Sequence, residues 1–222
     1  MNYREIHILI KKEILLEWRQ KYALNGILLY LISTIFICYL SFNLNHNQLN
    51  PPTWNALYWI IILFTSVNAV AKSFIQDEPG TFLYLYTIVS PSGVIISKII
   101  YNAVLIVVMA SIGYAFYTVI LGNPVLDQGL FLINIGLASV AFSTTLTMVS
   151  SIASKARNSG TLMVILSFPI ILPMLLIVIK ISKNAMDGLD RCINYTPMLT
   201  LVAITVIVIT IALFLFPFLW RN

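Results

Sequence analysis

The chain has 222 residues, 59% of them hydrophobic and 9% charged, with a mean hydropathy of +0.93. Soluble domains run at roughly 45 to 50% apolar and about 25% charged residues, so a water-soluble globular protein is excluded. Thirteen Lys and Arg against eight Asp and Glu leave a net charge of +5. In so apolar a chain that excess orients membrane helices, and no nucleic-acid partner is expected.

The N-terminal 1–23 carry eight charges and no small-residue cleavage site, so they are read as a retained cytoplasmic lead and not as a secretory signal. Within it Ile6, Ile8, Leu9, Ile10, Ile14, Leu15, Leu16 and Trp18 scatter around a helical wheel. A helix touching lipid on one side and protein on another accounts for the scatter.

Six segments then follow that are long and apolar enough to cross a hydrocarbon core about 30 Å thick. They are 24–42, 54–75, 94–121, 130–152, 161–179 and 199–220, within one permease domain spanning 1–222. Counting Lys and Arg on alternate sides gives ten on the side of the N-terminus and three, Lys180, Lys183 and Arg191, on the other. Basic residues near helix ends resist translocation, so both termini are expected in the cytoplasm. Trp54, Tyr58, Trp59 and Trp220 near the span ends suit either headgroup anchoring or helix packing. Lys98, one turn into the third span, is expected to snorkel towards the cytoplasm.

The inner connection between the second and third spans carries most information. Asp77-Glu78-Pro79-Gly80 reads as a turn. The following 81–89 is too short to cross a membrane and too apolar for a solvated linker, and Ser90-Pro91 closes it. Two readings stand: a short surface helix that docks a soluble partner, or a loop tucked against its own helix ends. The fourth span is dotted with Asn134, Gly136, Ser139, Ser143, Thr144, Thr145, Thr147, Ser150 and Ser151, for which close helix packing is favoured over a polar conduit. Pro169 and Pro173 in the fifth span each remove a helical hydrogen bond and are candidate hinge points.

No phosphate-cradling Gly-Lys-Ser or Gly-Lys-Thr loop occurs, so any ATP is hydrolysed on another subunit. Every Asp and Glu falls outside the six spans, which disfavours an ion-driven transporter. His46, in the first outer loop, is weighed as an axial haem ligand against a solvated loop histidine. Cys38 and Cys192 supply neither a disulfide framework nor a thiolate metal site, and no metal is expected.

Several of these elements together resemble the CcmB family, the membrane component of the haem exporter of cytochrome c maturation. They are the lead ending Glu17-Trp18-Arg19-Gln20-Lys21, the loop Asp77-Glu78-Pro79-Gly80-Thr81 followed by Leu85 and Ser90-Pro91, Lys98, Gly160-Thr161-Leu162, and Leu166-Ser167-Phe168-Pro169-Ile170-Ile171-Leu172-Pro173. The likeness runs over essentially the whole chain. It implies an all-α integral membrane protein of the inner membrane: an ABC-2 type permease bundle of six transmembrane helices, with an N-terminal interfacial helix and a short cytoplasmic coupling helix. It also implies a non-catalytic subunit, paired as a homodimer with a separate ABC ATPase subunit and acting with haem-handling membrane subunits and a periplasmic haem chaperone. Two routes stay open under the resemblance, haem as cargo through this subunit or release of a haem-loaded chaperone by ATP hydrolysis, and the missing tryptophan-rich haem-binding signature of the companion subunits argues against direct haem ligation here. The resemblance assigns the ATPase contact to Asp77, Glu78, Gly80, Thr81, Leu83 and Tyr84. Two other readings are compatible with the residues: an ABC-2 permease for a lipid, drug or polysaccharide, and a non-transporting scaffold for haem-chaperone assembly.

Overall fold

The computed structural model describes residues 3–19, 21–43, 49–75, 89–154 and 159–221. Among these every regular element is a helix: α1 (Tyr3–Arg19), α2 (Lys21–Asn43), α3 (Pro51–Ile75), α4 (Pro91–Leu121), α5 (Gln128–Ala153), α6 (Ser159–Met186) and α7 (Tyr195–Arg221), with a 3-10 turn at Arg191–Asn194 before α7. Helices α2 to α7 supply six segments long and apolar enough to cross a membrane. In hydrocarbon every backbone amide needs an internal partner, and only the helix provides it within a single segment.

The helices start and stop where local chemistry directs. Helix α4 opens on Ser90-Pro91: Ser90 Oγ accepts the Gly93 amide at 3.3 Å, and Pro91 occupies the first helical position, where no amide is needed. Helix α5 opens on Asp127, whose Oδ1 accepts the Leu130 amide at 3.0 Å. Helix α6 runs on past the expected end at 179 to Met186, carrying Lys180 and Lys183 with exposed side chains. It stops at Gly188, with φ +65°, where the Leu189 amide folds back to the Asn184 carbonyl at 3.1 Å. The last connection is therefore a tight turn and not a long loop.

Helix α5 is the centre of the bundle, packed on α3, α4, α6 and α7. From Ala141 to Ser151 every residue is buried. Its hydroxyls mostly bond back to their own helix, as Ser139 does to the Ile135 carbonyl and Thr144 and Thr145 to that of Ala141. Such self-satisfied small side chains let four neighbours approach closely without leaving polar groups unmade. Only a few reach across: Ser143 Oγ donates to the Ile99 carbonyl at 2.8 Å, and Asn102 Nδ2 donates to Thr147 Oγ1 at 2.9 Å. The packing reading of this span is the one the structure supports.

Headgroup anchoring does not apply to Trp54, Tyr58 and Trp59, which are all 1% exposed or less. They form an aromatic cluster with Tyr114, Tyr117 and Phe131, with Trp54 and Tyr117 4.7 Å apart and Tyr114 and Phe131 4.9 Å apart. The polar tips of Trp54, Tyr58, Trp59 and Tyr117 are paired inside: Trp54 Nε1 with the Gly122 carbonyl, Tyr58 OH with that of Ala110, Trp59 Nε1 with Ser182 Oγ and Tyr117 OH with the Trp54 carbonyl. An aromatic with its polar atom satisfied is worth more in a dry core than at a headgroup. The side chain of Trp220 lies outside the described residues.

Candidate functional site

Helix α1 lies along the N-terminal third of α4. The carboxylate of Glu5 accepts two hydrogen bonds from Ser90, the amide at 2.6 Å and the hydroxyl at 2.9 Å. An anion at the first turn of α4 also meets the positive end of that helix. Gly93 makes the approach feasible, because a Cβ there would sit 2.9 Å from Ser90 Oγ and 3.1 Å from Glu5 Oε1. Two turns further along α1, Glu13 Oε1 is 3.3 Å from the Nζ of Lys98. One turn beyond that, Glu17 hydrogen-bonds the Tyr101 hydroxyl. Leu9, buried between the acids, completes a ridge at positions 5, 9, 13 and 17. Residues four apart stack on one face of a helix, so this ridge is a single polar seam.

That geometry corrects the expectation for Lys98. It does not snorkel to water: its side chain is 2% exposed, and its ammonium is met by an acid from another helix. A buried cation with a carboxylate neighbour loses far less than one desolvated alone. The seam also explains why the apolar residues of the lead form no clean stripe. The inward face of α1 is partly acidic, while Ile8, Leu15, Leu16 and Trp18 are exposed on the remainder. The signal was present in the sequence as Glu5, Leu9, Glu13 and Glu17 at steps of four, with a lone lysine in an apolar span to receive them.

The opposite end of the bundle holds α6 in place. Asn55 Nδ2 donates to the Ile179 carbonyl, Asn134 Nδ2 to the Val178 carbonyl and to Ser182 Oγ, and Trp59 Nε1 to Ser182 Oγ at 2.7 Å. Three side chains from two helices thus grip one turn of α6. Pro169 and Pro173 lie below that grip, both exposed, and α6 continues as helix through each. Where they stand, the carbonyls of Ile165 and Pro169 lose their usual helical donors. At the same end Arg191 clamps Asp127 with two bonds, Nε to Oδ2 at 2.8 Å and Nη2 to Oδ1 at 3.0 Å. The arginine bonds, with the Leu130 amide, hold the Asp127 carboxyl down at about 2. The Asp127 amide donates to the Ala185 carbonyl at 2.9 Å, so the α4–α5 connection is tied both to the end of α6 and to the turn before α7.

The expected ATPase-contact residues Asp77, Glu78, Gly80, Thr81, Leu83 and Tyr84 lie outside the described residues, as does His46. The site the structure displays is instead the seam that begins where that loop ends, at Ser90.

Six apolar, membrane-length helices, one of them a hydroxyl-rich central helix packed on four others, with an amphipathic helix docked at one end, define an all-α polytopic membrane protein. Comparison with protein-family models matches residues 4–221 to the CcmB protein, and the chain belongs to the CcmB family. It is accordingly a membrane subunit, and not an enzyme, of a haem-exporting ATP-binding-cassette system for cytochrome c maturation, and a multi-pass protein of the inner membrane. No curated protein and no solved structure matches the chain.

Proposed function

We propose that the chain is the mechanical subunit of its complex, coupling ATP hydrolysis on a separate ATPase to haem export or to release of a haem-loaded periplasmic chaperone. In this reading both termini are cytoplasmic, two copies pair in the complex, and residues 77–84 receive the ATPase stroke. The observation that carries it is the docking of α1 onto Ser90, at the junction between that loop and α4. A loop whose exit is bonded to a second helix passes a displacement to more of the bundle than a free linker does. Within the membrane, the grip of Asn55, Trp59 and Asn134 would fix one half of α6, while the bends available at Pro169 and Pro173 would let the other half take two positions.

Cysteines placed singly along 77–84 and crosslinked to a co-expressed ATPase test the docking half. Adducts centred on Thr81 or Tyr84 are expected, and absence of any adduct along the loop would sink the proposal. Glu78→Gln or Gly80→Val should abolish c-type cytochrome formation while the protein remains in the membrane at normal level.

A further inference from the structure

We propose that α1 and α4 move as one body, with Glu13 and Lys98 as positioning residues that keep them in register. The three polar contacts share almost one offset: Glu5 with Ser90 and Glu13 with Lys98 are 85 positions apart, and Glu17 with Tyr101 is 84 apart. A constant offset means that the two helices run side by side in the same direction. At a rise of about 1.5 Å per residue, the contacts extend over roughly 18 Å of α1 and roughly 16 Å of α4. Helix α1 is thus not merely laid across the end of the bundle; it accompanies α4.

The length of α4 says where this happens. Its 31 residues span roughly 46 Å, about 16 Å more than a hydrocarbon core about 30 Å thick requires. That surplus equals the stretch that α1 lines. The paired portion is therefore assigned to the membrane edge as a two-helix stalk, with the exposed Leu15, Leu16 and Trp18 of α1 turned to lipid or headgroups and Lys98 shielded by α1. Sliding one helix along the other by a single turn would break all three contacts together: in one direction Lys98 would face Leu9 and lose its acid, and in the other it would meet Glu17 while Ser90 and Tyr101 both lost their partners. Relative motion inside the stalk is thereby disfavoured, and a push on Ser90 or on α1 moves both.

This inference rests on the coupling reading above but fails separately from it. The assembled complex, carrying spin labels on His7→Cys and Val104→Cys in a Cys38→Ser, Cys192→Ser background, is reconstituted in nanodiscs and trapped with and without ATP and vanadate. The expected result is one α1–α4 distance distribution in both states. A shift of that distance on trapping overturns the proposal, even if loop-to-ATPase adducts form normally. As a second readout, Glu13→Gln and Lys98→Met should each reduce c-type cytochrome yield several-fold while ATPase turnover persists, and Glu13→Lys with Lys98→Glu together should restore most of the yield. Single variants at normal abundance with full yield would count against the positioning role. If a single variant fails to accumulate, the distance measurement on the labelled wild-type seam decides.

Discussion

Replacing Gly93 by alanine tests the seam most directly, because the sign of its effect depends on a residue in another helix. In an ordinary helical position, Gly→Ala stabilises by about 0.5–1 kcal/mol, since alanine has less backbone freedom to lose. Here the new Cβ would stand 2.9 Å from Ser90 Oγ and 3.1 Å from Glu5 Oε1, too close for both to stay. The two bonds from Ser90 to Glu5 are charge-assisted but only partly buried, so roughly 1 kcal/mol apiece is at stake, and the cap from Ser90 to the Gly93 amide adds about 1 kcal/mol. Partial loss of these outweighs the propensity gain and leaves a net destabilisation of about 1–2 kcal/mol. For a chain of this length that is a fall of roughly 2–8 °C in Tm. In a Glu5→Ala, Ser90→Ala background the same substitution meets none of those atoms and should raise Tm by a degree or two. Unfolding in detergent micelles followed by tryptophan fluorescence reads both. If Gly93→Ala stabilises in both backgrounds, Glu5 is not docked at the start of α4 and the seam argument is wrong.

The clamp at the other end gives a pH dependence of defined sign. Because the Asp127 carboxyl is held at about 2, below its ordinary value near 3.8, its contribution is fully present above pH 5 and is lost as pH falls through 3.8 towards 2. Hydrogen exchange of the Leu130 amide should accelerate over that window relative to mid-helix amides, and Asp127→Asn should flatten the response. In the core, Phe131→Ala removes a fully buried ring that lies 4.9 Å from Tyr114 and 5.5 Å from Tyr58, and should cost about 3–5 kcal/mol in SDS unfolding titrations. Phe168→Ala, on the exposed face of α6, should change stability by no more than about 0.5 kcal/mol, and equal costs for the two would refute the packing order described for α5.

The six spans were legible because hydropathy is a sum over neighbours in the chain, and a fixed bilayer thickness converts that sum into a length. The breaks at Ser90-Pro91 and near Asn123 were equally local, set by which residues can begin or end a helix. The use of α5 for packing was also readable, since small hydroxylated residues that bond their own carbonyls need no distant partner.

What the tertiary structure alone decided are the pairings. Whether Trp54, Tyr58 and Trp59 point to headgroups or inward depends on carbonyls of Ala110 and Gly122 and on Ser182, more than fifty positions away. Whether Lys98 seeks water or an acid depends on Glu13, 85 positions earlier. Composition and periodicity fix how much of each helix must leave water. Which polar group meets which inside is set by the relative placement of helices, and a charge or an indole nitrogen carries no local mark of the partner that will satisfy it.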